Sequence, residues 1–199
     1  MDTTVYSLRW TGELADREAL LALLPAARRE RLPEDRPERW DQPLLAWGLL
    51  AWAAAVRWGM VPLPAVAVQG RPRFLDWPDR QFNLSHTAGA VACVLGEGPV
   101  GVDIEGPRPL SPRLLKLLGT ADGEEALARW VCREAAAKRL GVPGSLRVPA
   151  AGEGDCRLFR LEGGYRLAVS AEGPVRHETV ALDALLAFGP RSVVITSGQ

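Results

Sequence analysis

The chain is poor in cysteine, even in charge and without a long apolar run, and each shortage removes a class of function. Its three cysteines, Cys93, Cys132 and Cys156, are odd in number and widely spaced. That pattern is no disulfide framework, and no pair has the spacing of metal ligands. The 24 basic residues are matched by 24 acidic ones. A dedicated nucleic-acid binder carries a basic excess, so no nucleic-acid partner is expected, although a local basic pocket for a small anion fits the balance. The longest apolar run, Leu44 to Val56, has 13 residues, against the roughly 20 that a bilayer-spanning helix requires. The opening MDTTVYSLRW has no basic stretch followed by an apolar one, so no secretion leader is read. A soluble, cytoplasmic protein with no membrane partner is expected. There is no obvious internal repeat and no low-complexity segment.

What the chain does have is core-forming material: 47% of its 199 residues are hydrophobic, enough for one large domain or two small ones. Residues 4–10 alternate as a strand. A helix over about 16–24 is stopped near Pro25. Residues 26–41 are dense in charge, with Arg28, Arg29, Arg31, Arg36 and Arg39 among acidic neighbours. Either this is a solvated helical face, or some of the arginines face an anionic ligand. Pro43 suits the first turn of a helix running to about Trp58 and closed by Gly59. That helix is apolar nearly all round, which places it in the middle of the structure. Strands are predicted from 81, over 90–95 and over 100–105, with helices over 111–118 and 123–140. Further strands are predicted at 156–161, 164–170 and 177–183. The mixed order of elements, with no regular strand–helix alternation, predicts an α+β fold.

Three segments carry chemistry. The first is Phe82-Asn83-Leu84-Ser85-His86-Thr87. Adjacent side chains point different ways, so Ser85 and His86 are no nucleophile–base pair by themselves. A structural role stands beside a functional one, in which both residues and the following amides bind phosphate at a strand-to-helix turn. The second is Gly101-Val102-Asp103-Ile104-Glu105. On a strand, Asp103 and Glu105 share a face. They are either two solvated carboxylates or the oxygen ligands of a hard cation such as Mg²⁺. The third is Trp130-Val131-Cys132-Arg133-Glu134-Ala135-Ala136-Ala137-Lys138. On a helix Trp130, Glu134 and Lys138 form one stripe, which alone could be an ordinary Glu–Lys pair. Cys132 reads as a small buried apolar group.

In this order and company, F-N-x-S-H, G-x-D-I-E and W-x-x-[KR]-E-x-x-x-K resemble the motif set of the 4′-phosphopantetheinyl transferase superfamily. The likeness is to its larger, surfactin-synthetase-activating type, and the motifs span residues 70–141. The resemblance implies two similar α/β-mixed halves with antiparallel sheets, 1–98 and 99–199, related by a pseudo-two-fold with the active site between them, and hence a functional monomer. It implies transfer of the phosphopantetheine group from coenzyme A to a serine of an apo acyl or peptidyl carrier protein. It makes Asp103, Glu105 and Glu134 the ligands of Mg²⁺, with Mn²⁺ able to substitute, and Glu134 also the general base. Lys138 would contact the pyrophosphate, Ser85 and His86 the coenzyme A phosphates, and Arg71, in Gly70-Arg71-Pro72, the nucleotide end.

The sequence departs from that pattern in three places. Val131 and Arg133 replace the usual Ser or Thr and Lys. The stretch 106–129 is shorter than usual, and the helix that helps dock the carrier protein is reduced to about Ser111 to Gly119. The start of the long N-terminal helix reads Trp40-Asp41-Gln42-Pro43 in place of an arginine, so Arg28, Arg31, Arg36 or Arg39 takes over the 3′-phosphate. A catalytically reduced homologue that binds coenzyme A or a carrier protein is the alternative reading.

Overall fold

Alternation along the fifth strand shows how the layers stack. In the computed structural model, Val91, Cys93 and Leu95 of this strand enter one core, while Ala90, Ala92 and Val94 enter another. A strand buried on both faces lies inside the structure. The description covers residues 2–14, 17–36, 39–59, 64–65 (backbone only), 72–74, 76–142, 144 and 156–188.

In chain order the elements are β1 (Thr3–Arg9), α1 (Glu18–Leu21), α2 (Ala26–Arg29), α3 (Asp41–Trp58), β2 (Pro64–Ala65), β3 (Arg73–Phe74), β4 (Gln81–Thr87), β5 (Ala90–Gly96), β6 (Gly101–Glu105), α4 (Pro112–Leu118), α5 (Gly123–Arg139), β7 (Arg157–Arg160), β8 (Arg166–Ser170), β9 (Val175–Thr179) and α6 (Leu182–Phe188). One sheet has the order β4-β5-β1-β9 and another β6-β8-β7, and β2 pairs with β3. β1 and β9 are parallel, and the other pairs are antiparallel. This is a mixed architecture with antiparallel pairing, as the α+β expectation requires.

Four layers result. α3 covers one face of the first sheet through Leu44, Leu45 and Leu49, all fully buried. The opposite face of that sheet packs on Val102, Ile104, Leu167 and Val169 of the second. α5 covers the far side of the second sheet, where Val131 and Ala135 meet Ala168. β6 therefore sends Val102 and Ile104 inward and Gly101 and Asp103 towards α5.

That last packing is close. A β-carbon at Gly101 would lie 2.0 Å from the Ala135 carbonyl oxygen, so only glycine lets the helix settle so near the strand. α5 itself is well delimited. The Asp122 carboxylate accepts from the Glu124 and Glu125 amides at its start. Gly141, at φ 77°, ends it in a Schellman arrangement, with bonds from Gly141 N to Lys138 O and from Val142 N to Ala137 O.

Three sequence expectations are corrected. Cys132 and Cys156 form a disulfide with Cα atoms 5.8 Å apart. They are 24 residues apart in the chain, and only the approach of Cys156, just before β7, to α5 makes them neighbours. Residues 182–188, read in part as the end of a strand, form α6, whose Leu185 is fully buried in the first core. The Ser85-His86 segment is no strand-to-helix turn. β4 runs through it to Thr87, and Ala88-Gly89 turns the chain into β5. Among the described residues no helix is long and apolar enough to cross a membrane.

Candidate active site

β4 places its odd-numbered side chains on one line, Asn83, Ser85 and Thr87, facing β6. No backbone ladder joins these two strands, yet β6 is not left with a bare edge. The Val102 amide donates to Asn83 Oδ1 at 3.1 Å, and the Ile104 amide to Ser85 Oγ at 3.2 Å. Thr87 Oγ1 donates to Glu105 Oε2 at 3.4 Å. Side chains thus stand in for the missing ladder and satisfy buried amides.

At the centre of this seam, Ser85, Asp103 and Lys138 meet. Ser85 Oγ donates to Asp103 Oδ1 at 2.9 Å. Lys138 Nζ donates to Asp103 Oδ1 at 2.7 Å, to Ser85 Oγ at 3.0 Å and to the Val102 carbonyl at 3.1 Å. The side chains of Asp103 and Lys138 are 9% and 19% exposed, so the ion pair is shielded from solvent. Burial raises the Asp103 pKa above its ordinary value, against the opposing pull of Lys138 and the Ser85 bond; the charge of Glu105 adds to the rise. Lys138 therefore does not make the simple helical pair with Glu134 that its spacing allows, but reaches across to β6.

Two carboxylate oxygens here are buried without a hydrogen-bond partner, Asp103 Oδ2 and Glu134 Oε1. The other Glu134 oxygen accepts from the Gly144 amide at 3.4 Å. Glu105 is held by Thr87 and by Arg108, whose Nη2 lies 3.3 Å from Oε1. Among the described residues, no group of three or more His, Cys, Asp or Glu side chains is gathered closely enough to hold a metal ion. The three carboxylates that the motifs associate are thus near one seam but not drawn into one cluster. The two orphaned oxygens are nonetheless hard donors of the kind that Mg²⁺ takes.

His86 lies on the opposite side of β4 from Ser85. It helps line a groove of about 340 Å³ with Arg28, Arg31, Arg39, Pro43 and Trp47. Arg36 is not among the lining residues. Arg28 sits over the Trp47 ring, 6.0 Å from its centre, and its Nε is buried without a partner. Burial, with the charge of Arg31 beside it, lowers the Arg28 pKa. Three guanidinium groups on one groove, with no acidic side chain among its described lining residues, favour an anion. His86 Nδ1 pairs with Gln42 Oε1 at 2.9 Å, which leaves Nε2 available. Packing around the ring, then the Lys138 charge, lowers the His86 pKa. Gln42 occupies the helix start where the resemblance leads one to look for arginine, and strand or helix periodicity gives no hint of its pairing with His86. Arg71 lies outside the described residues, although Pro72 lines the groove.

No protein-family profile matches the chain. It is similar over part of its length to several curated proteins. These include 4′-phosphopantetheinyl transferase Sfp of Bacillus subtilis (strain 168), 40% identical over 47 residues, which are 24% of this chain and 21% of that protein. They also include 4′-phosphopantetheinyl transferase AcpT of Escherichia coli O157:H7, 39% identical over 92 residues, which are 44% and 43%. A 4′-phosphopantetheinyl transferase of Bacillus subtilis is 29% identical over 98 residues, which are 47% and 44%. The chain spans less than half the length of the curated relatives it matches. The shared name of these relatives supports the 4′-phosphopantetheinyl transferase superfamily.

Proposed function

We propose that this chain is a 4′-phosphopantetheinyl transferase. It moves the phosphopantetheine group of coenzyme A to a serine of an apo acyl or peptidyl carrier protein and releases adenosine 3′,5′-bisphosphate. The observation that carries the reading is the convergence of Ser85, Asp103 and Lys138, from three separate segments, within hydrogen-bond reach of one another. Motif matches arising by chance have no reason to converge. The groove beside them supports the same reading, because Arg28, Arg31, Arg39 and His86 suit the anionic nucleotide end of coenzyme A.

In the proposed reaction, the carrier serine oxygen bonds to the β-phosphorus of coenzyme A. The bond from that phosphorus to the bridging oxygen breaks, and the nucleotide leaves with that oxygen. The serine proton passes to Glu134, whose Oε1 is buried and unpartnered. Lys138 exchanges its bond to Asp103 for one to the diphosphate, a short swing of a flexible side chain that places positive charge on the leaving group. The chain needs no nucleophile of its own, which suits a site of carboxylates and one lysine. Asp103, Glu105 and Glu134 are the residues that would hold Mg²⁺, or Mn²⁺ in its place; Glu105 must let go of Arg108 to join them. Held there, a divalent cation would supply charge neutralisation of the diphosphate.

The two halves of the proposal, 1–98 and 99–199, share a pairing order. In the first, the hairpin β4-β5 is followed by β1; in the second, the hairpin β7-β8 is followed by β6. A long helix, α3 or α5, lies between the lone strand and the hairpin in each. This repeat supports a pseudo-two-fold chain that acts as a monomer.

Intact mass spectrometry tests the reading. With coenzyme A and Mg²⁺, an apo carrier protein is expected to gain one phosphopantetheine group, and Glu134→Gln is expected to abolish the gain. No gain across a panel of fatty-acid, polyketide and peptide carrier proteins, at high enzyme concentration, refutes it. The shortened 106–129 region favours a second reading, a non-catalytic binder of coenzyme A or carrier protein. Coenzyme A affinity that is independent of Mg²⁺ in calorimetry would select that one.

A further inference from the structure

We propose that Ser85 is a positioning residue for the reacting end of the site and makes no contact with the phosphates of coenzyme A. The proposal deepens the transferase reading and rests on it for its kinetic half. Alternation along β4 splits the Ser-His pair. His86 lines the arginine groove, whereas Ser85 turns to β6 and α5 and is only 6% exposed.

The hydroxyl of Ser85 has one proton and two lone pairs, and all three are in use. The proton goes to Asp103 Oδ1, and the lone pairs take the Ile104 amide and the Lys138 ammonium. A phosphate oxygen in contact with Ser85 would need the proton that Asp103 holds. Ser85 Oγ, Asp103 Oδ1 and Lys138 Nζ form a triangle with sides of 2.9, 2.7 and 3.0 Å. The Ile104 bond pins one corner of that triangle to the backbone of β6. The triangle fixes which oxygen of Asp103 is spoken for and leaves Oδ2 as the unpartnered one. It also holds the ammonium of Lys138 at the seam until a substrate oxygen competes for it. Removing the hydroxyl leaves Asp103 and Lys138 without a shared anchor.

The chain has only two lysines, Lys116 and Lys138, and Lys116 is exposed on α4. Lysine labelled with ¹⁵N therefore gives two side-chain ammonium signals, one of them an internal control. In Ser85→Ala, the Lys138 signal is expected to shift and to exchange faster with water while Lys116 stays unchanged. Ser85→Thr, which keeps a hydroxyl, is expected to restore the Lys138 signal. Should Ser85→Ala not fold, Ser85→Cys, with its weakly donating thiol, is read in the same way. In the transfer assay Ser85→Ala is expected to lower kcat about 10- to 100-fold, the cost of losing a group that orients a ligand. The loss should be equal for coenzyme A and for dephospho-coenzyme A. An unmoved Lys138 signal overturns the proposal. So does a selective loss of the preference for coenzyme A over the dephospho form with kcat intact. If the unaltered protein transfers nothing, the transferase reading falls, and the lysine spectra still decide whether Ser85 holds Lys138.

Discussion

Replacing Gly101 by alanine tests whether the contact of β6 with α5 is what places Glu134 and Lys138. The added β-carbon would lie 2.0 Å from the Ala135 carbonyl oxygen and 2.5 Å from the Arg139 amide nitrogen. Both are backbone atoms of α5, so no rotamer change relieves the clash. Ordinary packing begins at 3.4 Å, so the helix must retreat by about 1.4 Å. Overpacking of this kind costs roughly 1–3 kcal/mol. The retreat also carries Lys138, flanked by the two clashing positions, away from Asp103; the 2.7 Å bond between them cannot survive it. A displacement of about 1 Å can cost roughly 100-fold in rate. Gly101→Ala is therefore expected to lose about 2 kcal/mol in urea unfolding followed by tryptophan fluorescence. The rate of phosphopantetheine transfer, followed by mass, is expected to drop about 100-fold. Gly123→Ala is the control, because a β-carbon there meets nothing within 4 Å. A Gly101→Ala protein with an unchanged urea midpoint and an unchanged rate would refute the reasoning.

Two further perturbations follow from the same seam and from the disulfide. Lys138→Met leaves a buried carboxylate unpaired, at a cost of roughly 3–5 kcal/mol near neutrality. The folded Asp103 already sits above its ordinary value of 3.8, with Lys138 as the first force opposing burial. Without Lys138 the folded state binds a proton that the unfolded state releases, so stability falls as pH rises from about 4 towards the folded value. The stability gap between the two proteins should widen from acid to neutral pH, and a gap that stays constant counts against the pairing. The Cys132–Cys156 bridge closes a loop of 24-residue separation, worth about 3.5 kcal/mol on chain entropy. Dithiothreitol is expected to lower the thermal midpoint, and the Cys132→Ser, Cys156→Ser double variant should not respond. Cys93 does not interfere, because full burial pushes its thiol pKa far up. Equal midpoints with and without reductant would remove the bridge from the account.

Local signals in the sequence located most elements. Pro43 and Gly59 bracket α3, and its apolar surface nearly all round matches a helix buried from Leu44 to Ala54 except at Trp52. Alternation found β1 and β6, and Gly141 marks the end of α5. What local signals could not supply were contacts between distant segments. The Lys138–Asp103 pair joins residues 35 apart, and helical spacing offered Glu134 as the nearer partner. The disulfide was hidden for the same reason, since a separation of 24 residues is neutral until β7 lies along the sheet beside α5. α6 was missed because Leu182 to Phe188 is too short a run for the 3.6-residue period to declare itself beside a strand signal. The Asn83, Ser85 and Thr87 line was readable as strand alternation, but its partner, the open edge of β6, was not. The Arg28, Arg31 and Arg39 groove needed the fold to separate three arginines from the merely solvated ones.

The parallel pairing of β9 with β1 has a bearing on the order in which the molecule can assemble. The first strand of the chain cannot complete its hydrogen bonding until residues 175–179 have been made. Leu20 packs first against Gly48 of α3, and the rest of that recess stays open until Leu185 reaches it. The core around α3 thus waits for the end of the described chain, and a nascent protein halted after β5 would carry an open strand edge and an unfilled apolar recess. The strand order thus ties the start of the chain to residues 175–179, and the first sheet closes last where it began.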